Sequence, residues 1–335
     1  MDVLCTCKNY LQNQFWENRR ISIRLKKRYL IKAISAVLFL LVLFFILKYL
    51  YKNLFALKDF SFNINIFHFI ISLTTIWFWL FISSFIFHLI IKKIVPEAKL
   101  KESLAVWSAS YLGTYIPGKV GVLAFRIMHY KQMNVSPVKT GYGFFVETVL
   151  SVLSSCFLVL LSMFFTNFSF VREYLPLLVF LFILLFLSVH PKLIGIYAKI
   201  YFKYIRKETQ NHVSPYTYFF FVEVVMLHLI KWVCIGLGIF ILINSVTELE
   251  WRYLPFITGL YAAAAILGML AFFAPSGLGV VEGVMIIGLK TIISNSLAGA
   301  ISILIRIWKM VGEISFILLV RLFLRRILNV SDLKA

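Results

Sequence analysis

Seven charged residues stand in or beside sequence apolar enough to exclude them: Lys119, Arg126, Glu147, Glu282, Arg306, Lys309 and Glu313. A charge at the centre of a membrane-crossing helix costs about 2.5–3.5 kcal/mol on insertion scales, so such residues pair internally or serve a function. Lys119 lies inside a break in the apolar pattern, and Glu282 lies two turns beyond the proline of another. The two breaks, Pro117-Gly118-Lys119-Val120-Gly121-Val122 and Pro275-Ser276-Gly277-Leu278-Gly279-Val280, share the frame Pro-x-x-x-Gly-Val, one in each half of the chain. Proline removes a backbone donor and clustered glycine frees the chain, so a helix is expected to end at each. Helix ends exposed there present unpaired N–H groups and a positive dipole end, which suit an anionic group such as a phosphate. The candidate binding residues are therefore Pro117, Gly118, Lys119, Gly121, Arg126, Pro275, Gly277, Gly279 and Arg306. Glu147, Glu282, Lys309 and Glu313 are the candidates for gating or proton coupling.

Each has a plainer alternative. Lys119 can snorkel to the interface, Arg126 can be a topogenic cytoplasmic residue, and Glu282 can form a structural pair with Arg306 or Lys309. Arg306, Lys309 and Glu313 make one stripe on the last helix, which should face protein or water, with Lys309 and Glu313 as an i, i+4 pair. Glu223, His228 and Lys231 form a second set able to share a face, with His228 expected in a satisfied packing role in preference to proton relay.

Catalytic chemistry has little support. The first break lacks the spacing and the preceding strand of a nucleotide phosphate loop. Asp2, Asp59 and Asp332 are the only aspartates, so no Asp-x-Asp pair exists to hold a metal and a sugar nucleotide. Asp59 is the one aspartate placed to act as a base in an outer loop, and that loop is short for an acceptor site. Cys5, Cys7, Cys156 and Cys234 give neither a disulfide framework nor a zinc spacing. No catalytic residue, metal or cofactor is expected, and an enzymatic role is disfavoured but left open.

The elements that must position these charges follow from composition. The 335 residues are 61% hydrophobic and 14% charged, with a mean hydropathy of +0.91, too little polar surface to coat a soluble globule. Long apolar runs without a period of two predict an all-α, polytopic transmembrane bundle and not a β-barrel. About six full spans are expected, near 31–51, 67–91, 140–166, 174–190, 215–244 and 297–320, and Phe and Tyr are expected mainly as lipid-facing bulk and interface anchors. The long basic N-terminal region has no cleavage site after its apolar core, which reads as an uncleaved first span.

The net charge of +20 raises nucleic-acid binding, but the distribution of the charges argues against it. Of the 34 Lys and Arg, 24 fall in five clusters that flank hydrophobic spans, the pattern of cytoplasmic loops. All five clusters fall on the cytoplasmic side if regions 103–134 and 254–294 are re-entrant hairpins of opposite orientation. The expected organisation is a basic cytoplasmic segment 1–30, one transmembrane domain 31–325 and a cytoplasmic tail 326–335. The two hairpins would be related as an inverted repeat, in a multi-pass protein of the plasma (inner) membrane. Paired interrupted segments in two halves mark the binding centre of inverted-repeat transporters.

The stretch from Leu112 to Arg126, then Val146-Glu147, then Pro275 to Gly283, and finally Arg306, resembles the lysylphosphatidylglycerol synthetase/flippase membrane-domain family. The resemblance implies a helical bundle with broken segments and a role in moving, or helping to make, lipid-linked phosphate or sugar compounds. Membrane phospholipids or a polyprenyl-linked lipid are the implied substrates, and cell-envelope biosynthesis enzymes are candidate partners. Only about fifteen residues follow the last span, so the family's soluble aminoacyl-transferase domain, and lysyl transfer with it, is not expected. Thr148 stands where the family pattern has Arg beside Glu147, which leaves the ion-pair partner of Glu147 open.

Overall fold

Caps and breakers in the sequence set where each helix starts and stops. In a computed structural model, helix α1 (Ile66–Ile94) begins where the Asn65 side chain accepts hydrogen bonds from the N–H groups of Phe67 and His68. It ends before Pro96, which holds Val95 out of the helical region. Helix α2 (Leu100–Tyr111) opens with the Glu102 carboxylate accepting from the Lys99 N–H at 3.3 Å, and runs into a 3-10 turn, Leu112–Tyr115. Helix α3 (Val120–Gln132) follows the first break, and α4 (Pro137–Met163) starts on a proline whose missing N–H needs no partner there.

The second half runs in the same order. Helix α5 (Tyr218–Asn244) is capped by Thr217, whose hydroxyl accepts from the Phe220 N–H. A 3-10 turn, Trp251–Tyr253, leads into α6 (Leu254–Leu270). A second such turn, Pro275–Gly277, sits at the second break, before α7 (Val280–Leu289) and α8 (Asn295–Phe323). The structure describes residues 65–116, 120–133, 135–163, 216–271 and 274–324, with isolated positions between 176 and 183. Among them there is no strand.

Four stretches are long and apolar enough to cross a membrane: Ile66–Ile94, Pro137–Met163, Tyr218–Asn244 and Trp251–Leu270. The first three match expected spans. The fourth lies in region 254–294, which is expected as a re-entrant hairpin. With its leading turn it makes a 20-residue helical stretch, because no proline or charge interrupts the Ala-rich run after Arg252 and Pro255. The expected span 297–320 is a helix of 29 residues that carries four charges, Arg306, Lys309, Glu313 and Arg321. The expected span 31–51 lies outside the described residues, as does 174–190 apart from isolated positions.

Both breaks form helical hairpins. Helix α3 folds back on α2, which places Ser103 beside Tyr130, Ser110 beside Arg126 and Gly113 against Gly121. Helix α7 folds back on α6, with Leu260 against Gly288 and Gly268 against Gly277 and Val281. Matching α1–α4 with α5–α8 gives each main helix–helix pairing a counterpart: α4 packs on α6 as α8 does on α2, and α4 packs on α5 as α8 does on α1. Helices α1 and α5 pack together along the seam, and the two break turns, Leu112–Tyr115 and Pro275–Gly277, touch.

The bundle is apolar outside and charged within. Phe219 is 79% exposed and Phe78 63%, while Arg126, Arg306 and Glu313 are 3% exposed or less. A core of Ile76, Leu80, Ile235, Ile239, Ile301 and Trp308 joins α1, α5 and α8. That inversion of a soluble bundle's polarity suits lipid as the surrounding solvent.

Candidate functional site

The second hairpin and α8 build the denser of two charge clusters. Glu282, at the start of α7, uses both oxygens: Oε2 accepts from the Gly279 N–H at 2.7 Å and Oε1 pairs with Arg306 Nε at 2.5 Å. A carboxylate at a helix N-terminus is favoured by the dipole and satisfies an orphan donor. The rest of the Arg306 fork donates to the Ser276 carbonyl, from both terminal nitrogens at 3.2 Å. Ser276, Gly277 and Gly279 have positive φ angles of 50°, 69° and 83°, so the turn exposes a carbonyl that a helix would have consumed. Arg306 thus ties the second break, through Glu282 and Ser276, to α8.

One turn along α8, Lys309 pairs with Glu313, a further turn on, at 3.2 Å. Glu313 also accepts from two tyrosines at the first break, Tyr111 at 2.9 Å and Tyr115 at 2.6 Å. The stripe Arg306, Lys309, Glu313 faces protein, and its two acid–base pairs compensate each other's charge. A small cleft lies beside it, lined by Tyr261, Met285, Ser302, Lys309 and the Glu282–Arg306 pair.

The plain alternative for Glu282, a pair with Arg306, is the arrangement found, and the i, i+4 pair of Lys309 with Glu313 is present as expected. Tyr111, Tyr115 and Tyr261 correct the expectation of tyrosine as lipid-facing bulk, since Tyr115 and Tyr261 are buried and the hydroxyls of Tyr111 and Tyr115 serve Glu313. The signal available in the sequence was their spacing: Tyr111 and Tyr115 are four apart, just before the break. Tyr115→Phe removes one bond to a charge and is expected to cost about 1.5–3 kcal/mol. Glu313→Gln strands Lys309 and is expected to cost about 3–5 kcal/mol. Thermal unfolding in detergent checks the order, and equal losses would contradict it.

The other cluster joins the first hairpin to α4. Arg126, 2% exposed, pairs with Glu147 and donates from Nε to Ser110 Oγ at 3.1 Å. Its guanidinium lies 4.1 Å from the Phe87 ring centroid, and Glu147 also accepts from Trp107 Nε1 at 3.3 Å. So Thr148 leaves no orphan carboxylate, because Arg126, packed across the turn between α3 and α4, supplies the cation. Buried and multiply bonded, Arg126 is no surface topogenic residue in this arrangement. Gly121 serves close packing: its backbone crosses Gly113 so tightly that a Cβ on Gly113 would lie 2.4 Å from the Gly121 carbonyl carbon.

A family profile described as lysylphosphatidylglycerol synthase TM region matches residues 30–312, which takes in both hairpins and every charge of the two clusters except Glu313, one residue past its end. The chain belongs to that family. No curated protein matches it. It is an integral, multi-pass helical membrane protein of the lysylphosphatidylglycerol synthase TM family, and that family places it among proteins that handle lipids.

Within this lysylphosphatidylglycerol synthase TM member, Pro117, Gly118 and Lys119 lie outside the described residues, while Pro275, Gly277 and Gly279 shape the second turn. Glu223 is exposed whereas His228 and Lys231 are buried, so the three do not share a face: a five-residue step turns Glu223 well away from His228. Neither ring nitrogen of His228 has a partner among the described residues, which corrects the expectation of a satisfied histidine.

Proposed function

We propose that this protein is a translocator for an anionic phospholipid or a lipid-linked glycan phosphate, working in the plasma membrane with both termini in the cytoplasm. The observation that carries the proposal is the meeting of two break turns, Leu112–Tyr115 and Pro275–Gly277, at the tips of two hairpins beside buried charges. The basic clusters favour entry of the first hairpin from the cytoplasm and of the second from the opposite face, an inverted repeat whose tips meet inside the bilayer. The repeated order of elements and neighbours supports that relation, and interrupted segments paired this way give inverted-repeat transporters access from either side.

Each hairpin is latched to the long helix that follows it, with the polarity exchanged. In the first the arm carries Arg126 and the long helix Glu147; in the second the arm carries Glu282 and the long helix Arg306. In the proposed cycle Lys119, within the first break, receives a headgroup that enters from the cytoplasmic side. A phosphate at the cleft then competes with Glu282 for Arg306 and frees α7, while the Arg126–Glu147 latch holds the other hairpin shut. Membrane phospholipids or polyprenyl-linked lipids are the substrates, and envelope-building enzymes the partners that supply or use them.

Reconstitution with labelled phosphatidylglycerol tests the proposal. Exchange between leaflets without a new lipid product, and its loss in Glu282→Gln and Lys119→Ala, is the expected result. Product formation that depends on Asp59 would replace the translocator with an enzyme of lipid-linked glycosylation.

A further inference from the structure

The buried charges of the described bundle do not all cancel. Arg126, Arg306 and Lys309 each have a carboxylate within 4 Å, namely Glu147, Glu282 and Glu313. Lys231 has none among the described residues. It is 6% exposed, sits at the centre of the 27-residue α5, and has as its polar contact the Ser151 hydroxyl on α4, at 3.1 Å from Nζ. An ammonium group carries three donors; besides Ser151 it meets the face of Trp232, 4.9 Å from Nζ to the ring centroid, and no carboxylate. One turn earlier on α5, His228 is 1% exposed and neither ring nitrogen is bonded. A buried cation without an anionic partner and a buried imidazole without an acceptor are costly, and native proteins keep such groups paired.

We infer that Lys231, Ser151 and His228 form an intramembrane binding site for an anionic phosphate oxygen, separate from the Glu282–Arg306 cleft. The chemistry of the three groups agrees: an ammonium, a hydroxyl and an imidazole N–H all donate to an anion, and the ammonium supplies the charge that balances it. Ser151 lies one turn beyond Glu147 on α4, so the site adjoins the latch of the first hairpin. The phosphate belongs to a lipid headgroup or to a free anion, and both meet the same donors. The assignment builds on the proposed lipid translocation for its ligand class, but its test does not depend on transport.

Binding of phosphatidylglycerol to the full chain, in nanodiscs of phosphatidylcholine, is measured by native mass spectrometry after release, with inorganic phosphate as competitor. Lys231→Met is expected to weaken binding about tenfold or more, the range for losing a hydrogen-bonded charge. Ser151→Ala and His228→Leu should weaken it less, and Lys231→Arg should restore part of it. Competition by inorganic phosphate would identify a free anion as a ligand; lipid binding without such competition would identify the headgroup. Both support the site. Wild-type binding in a folded Lys231→Met protein would overturn it. Lys231-dependent binding without leaflet exchange would sink the translocator and leave the site. Exchange with binding indifferent to Lys231 would do the reverse.

Discussion

Replacing Arg306 with methionine is expected to cost about 3–5 kcal/mol, because it leaves Glu282 as a buried charge without its cation. It also leaves the Ser276 carbonyl, which Arg306 binds from two nitrogens, without those donors. The double variant Glu282→Leu with Arg306→Met removes the stranded charge, so it should melt closer to wild type than Arg306→Met alone. It should not recover fully, since the Gly279 N–H loses its cap, worth about 1 kcal/mol. Exchange separates structure from function here. A latch that only holds the fold together allows the double variant to translocate lipid; a latch that opens and closes on a headgroup does not. Thermal unfolding and leaflet exchange, measured on the same three proteins, decide between them.

Gly113→Ala is expected to be the other severe change. A Cβ there would lie 2.4 Å from both the carbonyl carbon of Gly121 and the nitrogen of Val122. Those are backbone atoms, so no rotamer relieves the clash and the two arms of the first hairpin must separate. Overpacking of this kind costs about 3 kcal/mol at the upper end of its usual range. The damage should spread, because Tyr115, two residues on, carries the shortest bond to Glu313. Gly299→Ala is the control. Nothing lies within 4 Å of the added carbon, and a glycine inside α8 gives way to a better helix former, with a gain of about 0.5–1 kcal/mol. Unfolding curves that rank Gly113→Ala at or above Gly299→Ala in stability would contradict the close approach.

Much of this architecture was legible in the residues themselves. The spans of α1, α4 and α5 follow from apolar runs long enough to cross a bilayer. Both breaks follow from proline and glycine in one shared frame. The Lys309–Glu313 pair follows from helical spacing alone. What escaped is set by tertiary contact. Arg126 and Glu147 are 21 residues apart and meet only because α3 turns back onto α4, which no local spacing reports. Tyr111 and Tyr115 read as apolar bulk because a tyrosine ring suits lipid as well as a core; its hydroxyl partner on α8 decides the matter. His228 was expected to be satisfied because buried imidazoles usually are, and its lack of a partner appears only when α4 and α5 are packed. The Trp251–Leu270 stretch is long enough to cross on its own, which the break downstream of it does not reveal.

The most direct test of lipid translocation by this fold is the rate at which labelled phosphatidylglycerol leaves the inner leaflet of sealed vesicles that hold known amounts of the protein. The account predicts a rate that rises in proportion to the protein per vesicle, with no change in the lipid's chemical identity. A rate equal to that of protein-free vesicles, with the protein folded and inserted, would contradict it.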